Sequence, residues 1–460
     1  MEVSARRLLI GFLTAFLLLE AWMGYWVVWQ GPALVAHKYN PRPLLAEGRI
    51  ARGAILDRHG EPLVVSEWRQ SSYKRIFTGP LSAVHTIGYM HSRYGKSGLE
   101  RAYDEELSGR AIRPAPSFER QAGGDKGLNI TTTIDINIQK AAEKALAGRR
   151  GAVVVLDART GAILASASVP YFDPAAMDDA LFAGDQGEAL FNRALQGRYP
   201  PGSAWKPFVL CAALESRSLS PEELFEDNGS ITIGNHTFHN FEEEVLGVIS
   251  LKEALVHSSN VAFVQIGIRT EGKAFLDLAK RLDIVSTPNL PVPATASHLP
   301  TLNTLQQTGA RAQFGFGQGE VWVTPLHMAT IAAAIGNGGY KVRPYLVEKV
   351  GDKVVAPEPR QERVMPAWVA EFVKEAMVAV VTEGTGRRAA VAGISVAGKT
   401  GTAQNPGGAA HAWFIAFAPA EDPSVAIAVV LENSGGTGGV QAAPVAAQVI
   451  AAALGGKNQN

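Results

Sequence analysis

Between Leu8 and Trp29 the chain reads LLIGFLTAFLLLEAWMGYWVVW, with Glu20 as its one charge. No other feature restricts the fold as much. About 20 consecutive apolar residues make a helix long enough to span a bilayer, and in lipid the backbone has to satisfy its own polar groups. Arg6 and Arg7 precede the run, which places the N-terminus on the cytoplasmic side and the rest of the chain outside. Trp22, Tyr25, Trp26 and Trp29 crowd the far end, where amphipathic rings sit at headgroup level. A cleaved signal peptide has a shorter apolar core and a small-x-small cleavage site. The run is therefore read as an uncleaved, single-pass anchor in the cytoplasmic membrane. Glu20 falls mid-membrane, where a carboxylate is costly, and is expected to face a partner helix or to be neutral.

The remaining chain has ordinary globular character. The full 460 residues are 47% apolar and 19% charged, enough for two or three domains. Lys plus Arg and Asp plus Glu each number 43, so no basic excess points to nucleic acid. The single cysteine, Cys211, excludes an intramolecular disulfide and a cysteine-built zinc site. Its neighbours Val209, Leu210, Ala212 and Ala213 make it a core residue. Gly315–Gly319 reads GFGQG but lacks the lysine and preceding strand of a phosphate loop, so these are packing glycines. No metal or cofactor is expected.

Pro32, Pro41 and Pro43 mark a linker, and short strands and turns follow from Arg52 to about Gln121, with a hairpin turn at Arg58–Glu61. GGDKG at 123–127 is a boundary signal. The division expected is a cytoplasmic stub and anchor over 1–30, a small pedestal over 31–125 and a large α+β domain over 126–460. In that domain LNITTTIDINIQKAAEKAL is a strand entering a helix capped by Asp135. GAVVVLDARTGAILASAS is a hairpin turning at Ala158–Gly161. Ser250 and Glu253 form a capping box before a helical run. HAWFIAFAP and SVAIAVVLEN are two further strands, and APVAAQVIAAALGG is a closing helix. Strands at both ends with helices between imply one sheet assembled from distant segments.

PGSAWKPF at 201–208 sets a serine and a lysine three residues apart, hence on one helix face. A serine hydroxyl attacks only when a base takes its proton. Lys206 can be that base if burial or a nearby positive charge lowers its pKa. Pro201, Gly202 and Pro207 place Ser203 at a helix N-terminus, where backbone N–H groups can face an oxyanion. Ser258-Ser259-Asn260 closes the capped helix in a polar turn. Lys399-Thr400-Gly401-Thr402 reads as an edge strand whose glycine admits close approach of another chain, with a lysine and two hydroxyls to cradle a carboxylate. Ser71/Lys74 and Lys96-Ser97-Gly98 imitate two of these motifs, but no Ser-x-Asn separates them and the interval is too short for a sheet and a helical lobe. Ser-x-x-Lys, Ser-x-Asn and Lys-Thr-Gly in that order are the catalytic pattern of penicillin-binding proteins and class A β-lactamases.

With these motifs the chain resembles a class B penicillin-binding protein, a peptidoglycan D,D-transpeptidase. RGAILDRHGEPL, GKSGLERAYDEELSG, NRALQGRYPPGSAWKP, FGFGQGEVWVTPLHMA, GKTGTAQ and HAWFIAFAP resemble family blocks in family order. The resemblance implies a pedestal followed by a penicillin-binding fold, an antiparallel sheet flanked by helices plus an all-helical lobe. It implies that Ser203 is acylated by the penultimate D-Ala of a stem peptide, with Lys206 as base and Ser258 as proton relay. Asn260 would bind the substrate amide and orient Lys206. Lys399 would keep Lys206 neutral and attract the terminal carboxylate, which Thr400 and Thr402 would hold beside Gly401. The N–H groups of Ser203 and Thr402 would form the oxyanion hole. β-lactams would trap Ser203, and a SEDS-type glycosyltransferase would be the membrane partner. The pedestal is shorter than in many relatives, Ala416 stands where glycine is common, and no glycosyltransferase domain precedes the catalytic part. Two other readings compete: a D,D-carboxypeptidase or serine β-lactamase, and a non-catalytic scaffold. The anchor argues against a lactamase and the complete motif set against a scaffold. His411 and Trp413 either line the cleft or have an ordinary strand role, and Glu242–Glu244 read as a solvated run, with a deacylating glutamate there as the lesser alternative.

Overall fold

The computed structural model describes residues 2–31, 50–111, 126–184, 188–358, 362–405 and 407–455. The linker prolines 32, 41 and 43 and most of the GGDKG boundary lie outside the described residues. A helix Glu2–Gly24 continues into a π-helical stretch, Tyr25–Gln30. Ser4–Gln30 is long and apolar enough to cross a bilayer, and its large side chains from Leu8 to Trp29 are exposed. Gly438–Gly455 has comparable length and hydropathy but lies partly buried in the protein.

The central sheet runs in the order Ala397–Asn405, Gly408–Ala418, Val425–Leu431, Gly151–Asp157, Ile163–Val169, antiparallel throughout. The 151–169 hairpin thus pairs with strands from the far end of the chain. Both sheet faces are covered. Ala152, Val154 and Leu156 enter one core, with the helices Lys206–Glu215 and Pro325–Gly336. Val153 and Val155 enter a second core with the helices Ile136–Leu146 and Ala443–Gly455. Alternate residues of a strand face opposite ways, so a strand buried on both faces must be apolar at every position. Asp135 starts the Ile136–Leu146 helix as expected, accepting from the N–H groups of Asn137 and Ile138 at 2.9 and 3.2 Å.

A six-stranded sheet crosses the boundary expected near residue 125. Its order is Lys353–Val354, Val347–Val350, Ile130–Thr132, Ile55–Leu56, Pro62–Arg69, Ser72–Phe77. Ile55–Leu56 pairs in parallel with Ile130–Thr132. The N-terminal module and the large domain therefore share backbone hydrogen bonds. A buried ionic cluster holds the module together. Arg52 reaches Glu100 at 3.1 Å and Asp104 at 2.7 Å, and Arg75 takes the other oxygen of Glu100. Lys96 belongs to this cluster, 2.8 Å from Asp104. Burial pushes the Asp104 carboxyl up, but hydrogen bonds from Lys96 and Arg52 outweigh it and hold it at about 2. The other imitation motif lies on a hairpin, with Ser71 in its turn and Lys74 on the strand opposite Glu67.

Candidate active site

Ser203 lies in a 3-10 turn, Gly202–Trp205, that runs directly into the Lys206–Glu215 helix. Pro207 occupies the first turn of that helix, the one place where its missing N–H costs nothing. Everything around the turn is tightly packed. Gly202 has φ +53°, and a Cβ there would stand 2.5 Å from the Thr402 carbonyl oxygen. At Gly401 a Cβ would meet the Pro201 oxygen at 2.6 Å and the Ala204 nitrogen at 2.8 Å. The serine turn thus lies backbone to backbone against the edge strand Ala397–Asn405, which only glycine permits. The GFGQG segment supports the same turn, because Gly317 accepts from the Gly202 N–H at 3.0 Å.

The capped helical run is two helices rather than one. The Ser250/Glu253 capping box forms as expected, but its helix ends after Leu251–Val256, and a second begins at Asn260–Arg269. Ser258 breaks the run with φ +60°. A side chain in this left-handed region costs on the order of 1 kcal/mol and persists where its surroundings enforce it. Ser258 and Asn260 are partly exposed, whereas Ser259 is buried. The polar turn forms as expected, with Ser259 alone turned inward. Ser259 caps the second helix by accepting from Ala262 N–H at 2.9 Å.

Lys206 and Lys399 converge on this break. Lys399 Nζ donates to Ser258 Oγ at 2.9 Å, and Lys206 Nζ stands 3.3 Å from the same oxygen. Lys206 Nζ also reaches the carbonyls of Ser258 and Ser259 at 2.5 and 3.1 Å and Asn260 Oδ1 at 2.9 Å. Asn260 Nδ2 donates to the His239 carbonyl at 2.9 Å, which turns its oxygen towards Lys206. Both lysines are fully buried. Burial first, and the Lys399 charge second, push Lys206 well below its ordinary value, with Asp227 opposing. Burial alone brings Lys399 down to about 7. Thr402 is partly exposed beside the turn, while Thr400 is only 6% exposed. The Thr400 hydroxyl pairs with Thr385 at 2.8 Å, and its carbonyl accepts from Lys399 at 3.1 Å.

The lysine shift has a stability consequence. Unfolded, Lys399 titrates near 10.5, and folded near 7. Between these values the unfolded chain holds a proton that the folded chain lacks, so this lysine makes stability rise with pH. Lys399→Met is expected to flatten that rise by about 3 kcal/mol between roughly pH 7 and pH 9.5. Denaturation midpoints at the two pH values measure it, and equal slopes in the two proteins would contradict it.

Several supporting residues stand outside the three motifs. Tyr199 donates to Glu432 at 2.6 Å, and Arg193, fully buried, pairs with the same carboxylate at 2.9 Å. Burial pushes Glu432 up, but bonds from Tyr199 and Arg193 outweigh it and leave it below its ordinary value. Trp413 is buried beneath the site and donates to the Pro200 carbonyl at 3.0 Å, so it holds the approach to Ser203. His411 is also buried and accepts from Asn433 N–H at 3.0 Å. Glu242–Glu244 are exposed, as expected, and Cys211 is buried. Among the described residues no group of three His, Cys, Asp or Glu could hold a metal ion.

A lysine buried beside a second lysine, a serine at a helix start and an edge strand packed on it are the groups that a serine acyl transfer needs. The chain belongs to the penicillin-binding protein transpeptidase family: residues 151–451 match the penicillin binding protein transpeptidase domain, and residues 52–117 match the penicillin binding protein A dimerisation domain. It is a class B penicillin-binding protein, a serine-type peptidoglycan D,D-transpeptidase. The peptidoglycan D,D-transpeptidase PbpA of Mycolicibacterium smegmatis is 34% identical, over 99% of each chain. MrdA of Haemophilus influenzae is 30% identical over 90% of this chain and 74% of its own. Penicillin-binding protein A of M. tuberculosis, solved as a ceftriaxone acyl-enzyme complex, superimposes with a TM-score of 0.81. Its identity is 33%, over 89% of this chain and all of the solved one.

Proposed function

We propose that this transpeptidase is membrane-anchored and cross-links stem peptides through an acyl group on Ser203. The observation that carries the reading is the convergence of two fully buried lysines, Lys206 and Lys399, on the Ser258 hydroxyl. Neutral Lys206 takes the Ser203 proton as Oγ attacks the carbonyl of the penultimate D-Ala. The oxyanion faces the N–H groups of Ser203 and Thr402, whose chains the two glycines hold together. As Lys206 becomes an ammonium, it donates to the Ser258 and Ser259 carbonyls and Asn260 Oδ1, which stabilise the charged form more than the neutral amine. The C–N bond breaks, and Ser258 Oγ passes a proton from Lys206 to the leaving D-Ala amine. An acceptor amine then attacks the ester carbonyl; the bond from carbonyl carbon to Ser203 Oγ breaks, and the proton the amine loses passes through Lys206 to Ser203.

Asn260 orients Lys206 and binds the substrate amide, while Lys399 and Thr402 hold the terminal carboxylate beside Gly401. Thr400 enters that cradle from behind, by holding Lys399. β-lactams acylate Ser203 by the same route, as in the acyl-enzyme complexes of the M. tuberculosis relative. Residues 1–30 anchor the chain, 31–125 form the pedestal, and 126–460 lie outside the cytoplasmic membrane as the transpeptidase domain. Glu20 and the pedestal meet a SEDS-type glycosyltransferase.

Full-length protein treated with a fluorescent penicillin tests the chemistry. Covalent label that leaves slowly, and cross-linked product from a stem peptide with an acceptor amine, are the expected results. An unlabelled protein sinks the acyl-serine reading. Rapid release of label would mark a lactamase, and free D-Ala without cross-linked product a carboxypeptidase.

A further inference from the structure

Beneath the Ser258 break lies a carboxylate that belongs to none of the three motifs. Asp227 closes the strand Leu224–Asp227 and is fully buried. Its Oδ1 accepts from Gly229 N–H at 2.9 Å and from Asn240 Nδ2 at 2.7 Å. Its Oδ2 accepts from the same Asn240 amide at 2.9 Å and from the Ser259 hydroxyl. Both partners act on the active-site turn. Asn240 Oδ1 accepts from the N–H groups of Asn260 and Val261 at 2.8 and 3.1 Å, capping the second helix from outside it. Ser259 caps the same helix with its hydroxyl and accepts from Lys206 with its carbonyl. The turn on which both lysines converge is therefore held, through two side chains, by one buried carboxylate.

We propose that Asp227 is a positioning residue for acylation: its buried carboxylate pins Ser259 and Asn240, keeps Ser258 in its left-handed conformation between Lys206 and Lys399, and supplies the negative charge opposing Lys399 at Lys206. The inference rests on Lys206 being the base, as proposed above. The charged groups facing Lys206 are few. Lys399 approaches from the edge strand and Asp227 from beneath the turn. The Asn260–Arg269 helix presents Asn260 and the ring of Phe263, whose centroid is 5.1 Å from Nζ. The one other charge on the serine helix, Glu215, ends that helix and pairs with Arg281. Lys399 and Asp227 thus pull the base in opposite directions, and removing one leaves the other unopposed.

The two roles separate by experiment. Acylation of the full-length protein by a fluorescent penicillin is followed as a rate from about pH 5 to 10, a span that brackets lysines displaced by burial. Asp227→Asn keeps the shape and removes the charge. It is expected to slow acylation about tenfold, the loss of a charge-assisted hydrogen bond. It should also move the acidic limb of the profile down by roughly half a pH unit or more. Ser259→Ala keeps the charge and cuts one tie. It should slow acylation by a similar factor with the limb unmoved. An Asp227→Asn profile whose limb coincides with the parent's overturns the charge role, even if the protein is slower or melts earlier. Should Asp227→Asn fail to fold, Ser259→Ala decides: a parental rate overturns the proposal, and a reduced rate at unchanged melting temperature supports it. A parent that takes no label would instead defeat the acyl-serine reading itself.

Discussion

Lys206→Arg is expected to react with penicillin about 10²–10⁴-fold more slowly than the parent, the range for removing a positioned general base. The substitution puts a fixed positive charge where the parent holds a neutral amine. A guanidinium has no lone pair to offer below about pH 12, so raising the pH cannot restore a base. The acidic limb of the acylation profile should vanish with the rate. The parent lysine is a base because burial and Lys399 disfavour its charged form. The same environment gives arginine no route to neutrality. Ser203→Ala is the companion variant and should form no covalent adduct at all, while still binding penicillin reversibly. Stopped-flow or gel fluorescence at several pH values reads both. An arginine variant that acylates within about tenfold of the parent would move the base elsewhere, with Lys399, at about 7, the next group able to serve.

The features legible in the sequence are local in origin. The Asp135 cap, the Ser250/Glu253 box and the 151–169 hairpin each depend on a few neighbouring residues, and each forms where expected. Ser203 and Lys206 are three residues apart, on a 3-10 turn and the helix it runs into, so their placement follows from the local sequence. The order of the three motifs assigns Asn260 and Lys399 to the same site because the pattern is specific as a set. Other features leave no local trace. Ser258 adopts its conformation because Asp227 and Asn240 hold its neighbours, and nothing in VHSSNVAF marks a break between helices. Ile55–Leu56 is too short to show a period, yet it joins the pedestal to Ile130–Thr132. Thr400 and Thr402 look equivalent in KTGT. One is closed off by Thr385 and Lys399 and the other stays open, a difference made by the loop that packs behind the strand.

The largest stability effect should come from the pedestal rather than the site. Glu100→Gln is expected to lower the melting temperature by roughly 10 °C, the equivalent of about 3–5 kcal/mol for breaking a buried ion pair from one side. Glu100 is the counter-charge of two guanidiniums, and the side chains of Arg52, Glu100 and Arg75 are 3%, 1% and 8% exposed. Burial already pushes Arg75 below its ordinary value, with Glu100 opposing that shift. A glutamine has one acceptor oxygen and no charge to offer. Arg52 would keep Asp104 at 2.7 Å, but Arg75 would keep only Ser66 Oγ at 3.1 Å. If the penalty is the stranded charge, taking both partners away should recover most of it, since apolar replacements of a whole buried pair are often neutral. Calorimetry on Glu100→Gln and on the double variant Arg75→Met/Glu100→Met distinguishes the cases. Equal losses in the two would mean that packing, and not an unpaired guanidinium, dominates at this cluster. The shared sheet makes the loss global: Pro62–Arg69 and Ser72–Phe77 are tied through Ile55–Leu56 to Ile130–Thr132 and Val347–Val350. A pedestal loosened at Glu100 should therefore lower the temperature at which penicillin labelling by the distant Ser203 is lost.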